Sequence, residues 1–141
     1  MKFPYLKQPC ISKHKSWISR PLIPVRLFYK NKHTDVYALI DSGADSSIFH
    51  SSIADLLGIN LRDGRKEIFF GISGSNYGID VYFHKIKLQI IGSSDTVEIE
   101  VGFAYSPGVA AILGQNGFFD NFHVKFERDK ERVEILPVRK N

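Results

Sequence analysis

The residues best placed to do chemistry stand in the run Ala38-Leu39-Ile40-Asp41-Ser42-Gly43-Ala44-Asp45. A carboxylate directly after three apolar residues is unusual, because burying a charge is costly unless it is paired. Gly43 lets the backbone turn sharply and approach another segment closely. The Ser42 hydroxyl can hydrogen-bond locally and fix that turn. The chemistry such a carboxylate serves is proton transfer. The same residues also describe an Asx-type turn leaving a strand, and the run alone leaves both readings open.

Other chemistries find no matching spacing. Gly71, Gly74 and Gly78 do not form G-x-G-x-x-G, and no phosphate-binding G-x-x-x-x-G-K-[ST] occurs. A G-x-S-x-G elbow is absent, which argues against a serine hydrolase. His14, His33, His50, His84 and His123 are dispersed, and Cys10 with His14 is a pair of isolated ligands rather than a zinc set.

The elements that must position Asp41 read mostly as strands. Leu22, Ile23, Val25, Leu27 and Tyr29 run to a polar turn at residues 30–33, and residues 36–40 return as a buried strand, so the pair predicts a hairpin. Ile53, Leu56 and Leu57 have the spacing of a short helix, with Ser52 as cap, Asp55 completing an approximate capping box and Gly58 at its end. Residues 66–70 and 79–91 predict strands around a glycine-rich tip at 71–78. Near that tip Val81 and Phe83 make both faces of the second strand apolar. This suits either covering a ligand or packing in a larger sheet. Residues 96–103 alternate, with Val97, Ile99, Val101 and Phe103 inward and Gly102 among the outward residues. After a turn at Ser106-Pro107-Gly108, the apolar run 109–113 predicts a central strand ended by Gly114. Phe118, Phe119 and Phe122 predict a second short helix, and residues 123–127 and 132–136 a last hairpin. The expected architecture is mainly β, a small closed or partly closed barrel with two short helices.

Length and charge set the frame. At 141 residues the chain fits one domain, or a domain with a tail, and excludes a cofactor domain joined to a separate substrate domain. Residues 1–33 carry eight basic side chains and no acidic one, whereas the remainder has a net charge of −4. Residues 1–20 therefore predict a basic, flexible leader, with Pro4 and Pro9 interrupting any helix, and residues 21–141 the domain. The leader lacks the arginine clustering or aromatic ladder that nucleic-acid recognition favours, so nucleic acid is not the expected partner. Its charge also makes it a candidate to occupy an acidic site as an inhibitor. No run approaches a membrane span. With Cys10 the sole cysteine and no signal-peptide core at the start, the expected location is cytoplasmic.

Asp-Ser-Gly-Ala after a buried strand, a glycine-rich hairpin, then Ile112-Leu113-Gly114 before a short helical segment together resemble the retropepsin-like aspartic proteases, the retroviral proteases and their single-domain relatives. The similarity spans roughly residues 21 to 136 in the expected order. It implies an aspartic endopeptidase acting on extended polypeptides, without cofactor or metal. It makes Asp41 the catalytic residue and Ser42, Gly43 and Ala44 its supporting turn. Gly43 and Asp45 would bind the substrate backbone, and Gly71, Ile72, Ser73 and Gly74 would belong to the flap. Where the retroviral enzymes have Gly-Arg-Asn, this chain has Gly114-Gln115-Asn116, which removes a potential ion pair with Asp45. The chemistry requires two carboxylates sharing one proton, and the chain has no second Asp-Ser/Thr-Gly. The resemblance therefore implies a homodimer that brings Asp41 against its copy. The alternative is a catalytically inactive peptide-binding or scaffolding module on the same fold.

Overall fold

Among the residues described by the computed structural model (1–10, 12–70, 77–105 and 110–140), twelve strands follow the alternation of apolar side chains. They are β1 (Lys2–Pro4), β2 (Leu6–Pro9), β3 (Trp17–Arg20), β4 (Leu22–Tyr29), β5 (Lys32–Ile40), β6 (Ile48–His50), β7 (Arg65–Phe69), β8 (Ile79–Ile90), β9 (Thr96–Ala104), β10 (Ala111–Leu113), β11 (Phe122–Glu127) and β12 (Arg132–Pro137). The turn expected at Ser106-Pro107-Gly108, the start of its following strand at Val109, and the glycine-rich tip at 71–76 lie outside the described residues.

The main sheet runs β4-β5-β10-β6-β9-β8-β7, and a further β4–β8 pairing closes six of these strands into a barrel. Closure buries Ile23, Val25 and Leu27 of β4 against Ile86, Leu88 and Ile90 of β8. Each such side chain contributes about 1.5–3 kcal/mol when removed from water. Pro24, which has no N–H to donate, stands just outside the β4–β8 ladder, whose register begins at Val25 opposite Ile90. Phe49, Phe103 and Phe118 complete the fully buried interior.

Several elements differ from the sequence expectation for physical reasons. The helix α1 (Ser51–Leu56) starts two residues early because the His50 ring, not Ser52, caps it, with Ser52 N–H donating to His50 Nδ1 at 3.1 Å. Gly58 ends it as expected, with φ of +69°. The second predicted helix is a single turn. Asn121 and Phe122 N–H both donate to the Phe118 carbonyl at 3.0 Å, and β11 then begins at Phe122. Its three phenylalanines still cluster, Phe118 and Phe122 at 4.9 Å between ring centres. One α-helix and two 3-10 turns, Leu61–Asp63 and Arg128–Lys130, thus replace the two helices expected.

Gly102 points into protein rather than outward: a Cβ there would meet Val81 Cγ1 at 2.4 Å. It lies beneath a second apolar cluster of Ile48, Val81, Phe83 and Ala104. Val81 is fully buried in that cluster, so its apolar face reflects packing rather than ligand cover.

The first twenty residues hold three short strands. Lys2–Pro4 pairs antiparallel with β12, Met1 N donates to the Ile135 carbonyl at 2.9 Å, and Phe3 and Tyr5 pack on the core. Leu6–Pro9 and Trp17–Arg20 form a separate hairpin. Proline excludes a helix here, but an edge strand of three residues tolerates Pro4 because one side of it makes no ladder bonds. The sheet β1-β12-β11 packs Val133, Ile135 and Phe122 onto the barrel.

On that sheet Glu127 is almost closed off from water, paired with Arg132 and, at 3.0 Å, with Lys125. Hydrogen bonds from Arg132 and then Lys125 hold its carboxyl down from 4.5 to about 2. A carboxylate with a lowered folded pKa binds fewer protons folded than unfolded, so its stabilisation is complete above 4.5 and fades as pH falls towards 2. We expect urea unfolding of Glu127→Gln to show lower stability than wild type at pH 6 and a shallower loss of stability across that acid window.

Candidate active site

Asp41 leaves the end of β5, and the chain returns as β6 with β10 inserted between them. β10 pairs parallel with β5 and antiparallel with β6. The segment from Asp41 to Ser47 must therefore arch over the end of β10. Asp41 N–H caps that end by donating to the Leu113 carbonyl at 3.0 Å. Gly43 N–H donates to Asp41 Oδ1 at 2.9 Å, and Ala44 N–H to the Asp41 carbonyl at 3.2 Å. The carboxylate is thus oriented by its own turn and half-buried, while Ser42, Gly43 and Asp45 are exposed.

A second turn, Gly114-Gln115-Asn116, clasps the first. Gln115 N–H donates to the Ala44 carbonyl and Asn116 N–H to the Asp45 carbonyl, each at 2.8 Å. The Gln115 side-chain amide donates to the Ser42 carbonyl at 2.7 Å. Gln115 therefore has a neutral role that the sequence reading missed: it holds backbone, where a cation facing Asp45 was the point of comparison. Ser47 was missed as well. It is fully buried, accepts from Gly114 N–H and donates to the Asn116 carbonyl, both at 3.0 Å. The available signal was a small polar residue directly before the apolar Ile48-Phe49.

Gly114 is required by space. A Cβ at this position would lie 2.5 Å from the Ser46 carbonyl oxygen and 2.6 Å from that of Ala44.

Beside the Asp41 turn opens a cleft of about 500 Å³. Residues 43–46 form one wall, and Ile48, Phe69, Phe70 and Ile112 the apolar remainder. Phe70 is largely exposed, as Tyr77 is across the glycine-rich segment. Of the site residues named from sequence, Asp41, Ser42, Gly43, Ala44 and Asp45 fall together in this turn. Gly71, Ile72, Ser73 and Gly74 lie outside the described residues. Among the described residues, no three His, Cys, Asp or Glu side chains are grouped to hold a metal ion, and no helix is long and apolar enough to cross a membrane.

The clasp predicts two sensitive positions. Ser47→Ala leaves the buried Gly114 N–H without its acceptor and should cost about 1–3 kcal/mol, with Ser47→Thr recovering most of it. Gly114→Ala forces two carbonyls apart and should cost about as much or more. Urea unfolding midpoints at constant slope check both.

No family model matches the chain, and no curated protein matches it in sequence. Solved structures do match in three dimensions. A retropepsin-like aspartic protease from Rickettsia conorii superposes with a TM-score of 0.60 at 14% identity, covering 82% of this chain and 89% of that one. The retroviral protease-like domain of Ddi1 from Leishmania major gives a TM-score of 0.53 at 16% identity, covering 83% and 95%. At these identities the likeness is one of fold. A closed six-stranded barrel whose β5 and β10 end in clasped Asp-Ser-Gly-Ala and Leu-Gly-Gln-Asn turns is a retropepsin-like fold, and that is the fold of this chain.

Proposed function

We propose that the protein is an aspartic endopeptidase that acts as a homodimer, each copy supplying one Asp41 to the catalytic pair. The observation that supports this is the half-buried Asp41 carboxylate, oriented by Gly43 N–H beside an apolar-walled cleft. Hydrolysis by this route needs two carboxylates sharing one proton, the arrangement by which aspartic proteases are known. One carboxylate takes a proton from a water molecule as it attacks the peptide carbonyl, and the other donates a proton to the carbonyl oxygen; the tetrahedral diol then collapses, its C–N bond breaking as a proton from the pair passes to the leaving nitrogen and a diol proton returns to the pair. A two-fold axis through the Asp41 turns provides the pair from a chain with a single Asp-Ser-Gly.

The substrate in this reading is an extended polypeptide recognised through its backbone, with alternate side chains entering pockets. Gly43 and Asp45 contact that backbone. Ile48, Phe69, Phe70 and Ile112 favour an apolar side chain next to the scissile bond. Gly71, Ile72, Ser73 and Gly74 take the flap role, closing over the peptide and excluding water. The setting we assign is cytoplasmic, supported by the single Cys10.

The test is cleavage of a mixed peptide library between about pH 4 and 7 by wild type and Asp41→Asn, with product termini read by mass spectrometry. We expect wild-type activity to rise faster than linearly with enzyme at low concentration, and Asp41→Asn to lose about 10²–10⁴-fold or more. Concentration-independent cleavage by a proven monomer would sink the paired-aspartate reading. A folded dimer that cleaves nothing would instead favour a module that holds peptides without cutting them.

A further inference from the structure

Among the described residues, the hairpin of β2 and β3 pairs with no other strand. A two-stranded ribbon alone in water is marginal, so it gains stability from whatever it docks against. Its own body offers little. Tyr5, just before it, donates N–H to the Glu131 carbonyl, and beside the hairpin lies a pocket of about 230 Å³ shared with Arg128 and Glu131. Trp17, the only tryptophan of the chain, is 58% exposed on it. Lys7, Lys13, Lys15 and Arg20 are exposed as well, and no acidic residue precedes Asp35.

The placement of this ribbon is informative. β3 runs directly into Pro21, whose carbonyl accepts from Ile40 N–H at 3.0 Å. The hairpin is therefore rooted beside the residue that precedes Asp41. Its four-residue strands extend about 13 Å from that root at about 3.3 Å per residue, with Lys13 and Lys15 beyond their ends.

A complementary surface opens from the other side of the same turn. Ser46 lines both the apolar cleft and a second cleft of about 540 Å³. Glu67, Glu98, Glu100 and Asp120 stand in it with Arg65 and Lys140. Arg65 is held by Glu67 and Glu100 and lies 4.7 Å over the Phe83 ring, so its charge is already engaged. Glu98 forms no ion pair among the described residues, although Lys87 lies opposite it on the ladder.

We propose that the β2–β3 hairpin is an arm that docks on a second copy of this chain, its lysines entering the acidic cleft and Trp17 becoming buried. The proposal rests on the homodimer reading, in which Asp41 lies at the two-fold axis. Both the root of the arm and the mouth of the cleft then flank that axis. In its own copy the arm has Arg128 and Glu131 for neighbours and shares no lining residue with the acidic cleft. Opposite charge selects the occupant: the basic end and the acidic body belong to the same chain. Each arm would thereby form the outer wall of the other copy's peptide groove, next to Ser46.

Sedimentation of the full chain over a concentration series, with Trp17 emission read in parallel, tests this. We expect the emission to shift to the blue as dimer forms. Lys13→Glu with Lys15→Glu should weaken the dimer about tenfold, Glu98→Lys should weaken it in the same direction, and the three together should recover most of the loss. Circular dichroism and urea unfolding establish that each variant is folded. Dimerisation unchanged in the variants, or emission that stays fixed as dimer forms, overturns the arm and leaves the dimer reading standing. Weakening by the arm changes without recovery in the triple variant overturns the assignment to the acidic cleft. A monomer at every concentration overturns both readings. An emission shift with a DNA or RNA oligonucleotide, and none with protein concentration, makes nucleic acid the occupant and overturns the proposal.

Discussion

The hydrogen bonds between the Asp41–Ser47 arch and the Gly114–Asn116 turn are the constraint on which the rest depends. β10 is inserted between β5 and β6, so the chain joining those strands has no path except over the end of β10. The arch brings backbone N–H and carbonyl groups close to the interior, where an unmet group costs about 1–3 kcal/mol. Each is answered locally: Asp41 N–H by Leu113, Gln115 N–H by Ala44, Asn116 N–H by Asp45, and Gly114 N–H by the Ser47 hydroxyl. The same answers fix the carboxylate. Asp41 is left half-buried at the rim by the arch, and oriented because Gly43 N–H holds its Oδ1.

The barrel keeps those two turns in register. β5 carries Ala38 and Ile40 into the core just ahead of Asp41, and β10 carries Ala111 and Leu113 in just ahead of Gly114. A slip of one residue in either strand would turn Ile40 or Leu113 outward, together with its buried alanine, and lose about 1.5–3 kcal/mol for the larger side chain alone. That exceeds the contribution of any one hydrogen bond in the clasp, about 0.5–1.5 kcal/mol net. Packing therefore sets where the turns stand, and hydrogen bonding sets their shape.

This division explains what could be read from the sequence. The apolar patterns of residues 22–29, 36–40 and 96–103 encode strands because the barrel buries their apolar side chains, and the arch was legible from Asp41, Ser42 and Gly43 as turn formers. Gly102 was misread because its neighbourhood is covered on both faces, which alternation cannot report. The phenylalanine turn was read as a helix because spacing at i and i+4 is satisfied equally by one turn. Gln115 and Ser47 were invisible for a different reason. Their partners are backbone atoms 73 and 67 positions away, and a backbone atom leaves no mark on sequence. The strands of the first twenty residues left little mark on the sequence, because proline argues against helix while remaining compatible with an edge strand.

How two copies could meet is narrowed by the edges the fold leaves open. In the sheet β1-β12-β11 the free edges are β1 and β11. β1 has three residues, one of them Pro4, and β11 presents the exposed charge of Lys125. Short edges with proline or lysine are poor templates for another chain. The amino terminus is likewise engaged within its own copy, Met1 with Ile135. Association through that sheet is therefore disfavoured by its own construction, whereas β7 at the end of the main sheet, the face around Asp41 and the β2–β3 ribbon stay open among the described residues. In the proposed protease reading, a chain with one Asp-Ser-Gly turn would complete its aspartate pair across such a face, and the ribbon rooted beside that turn would stand next to the same symmetric contact.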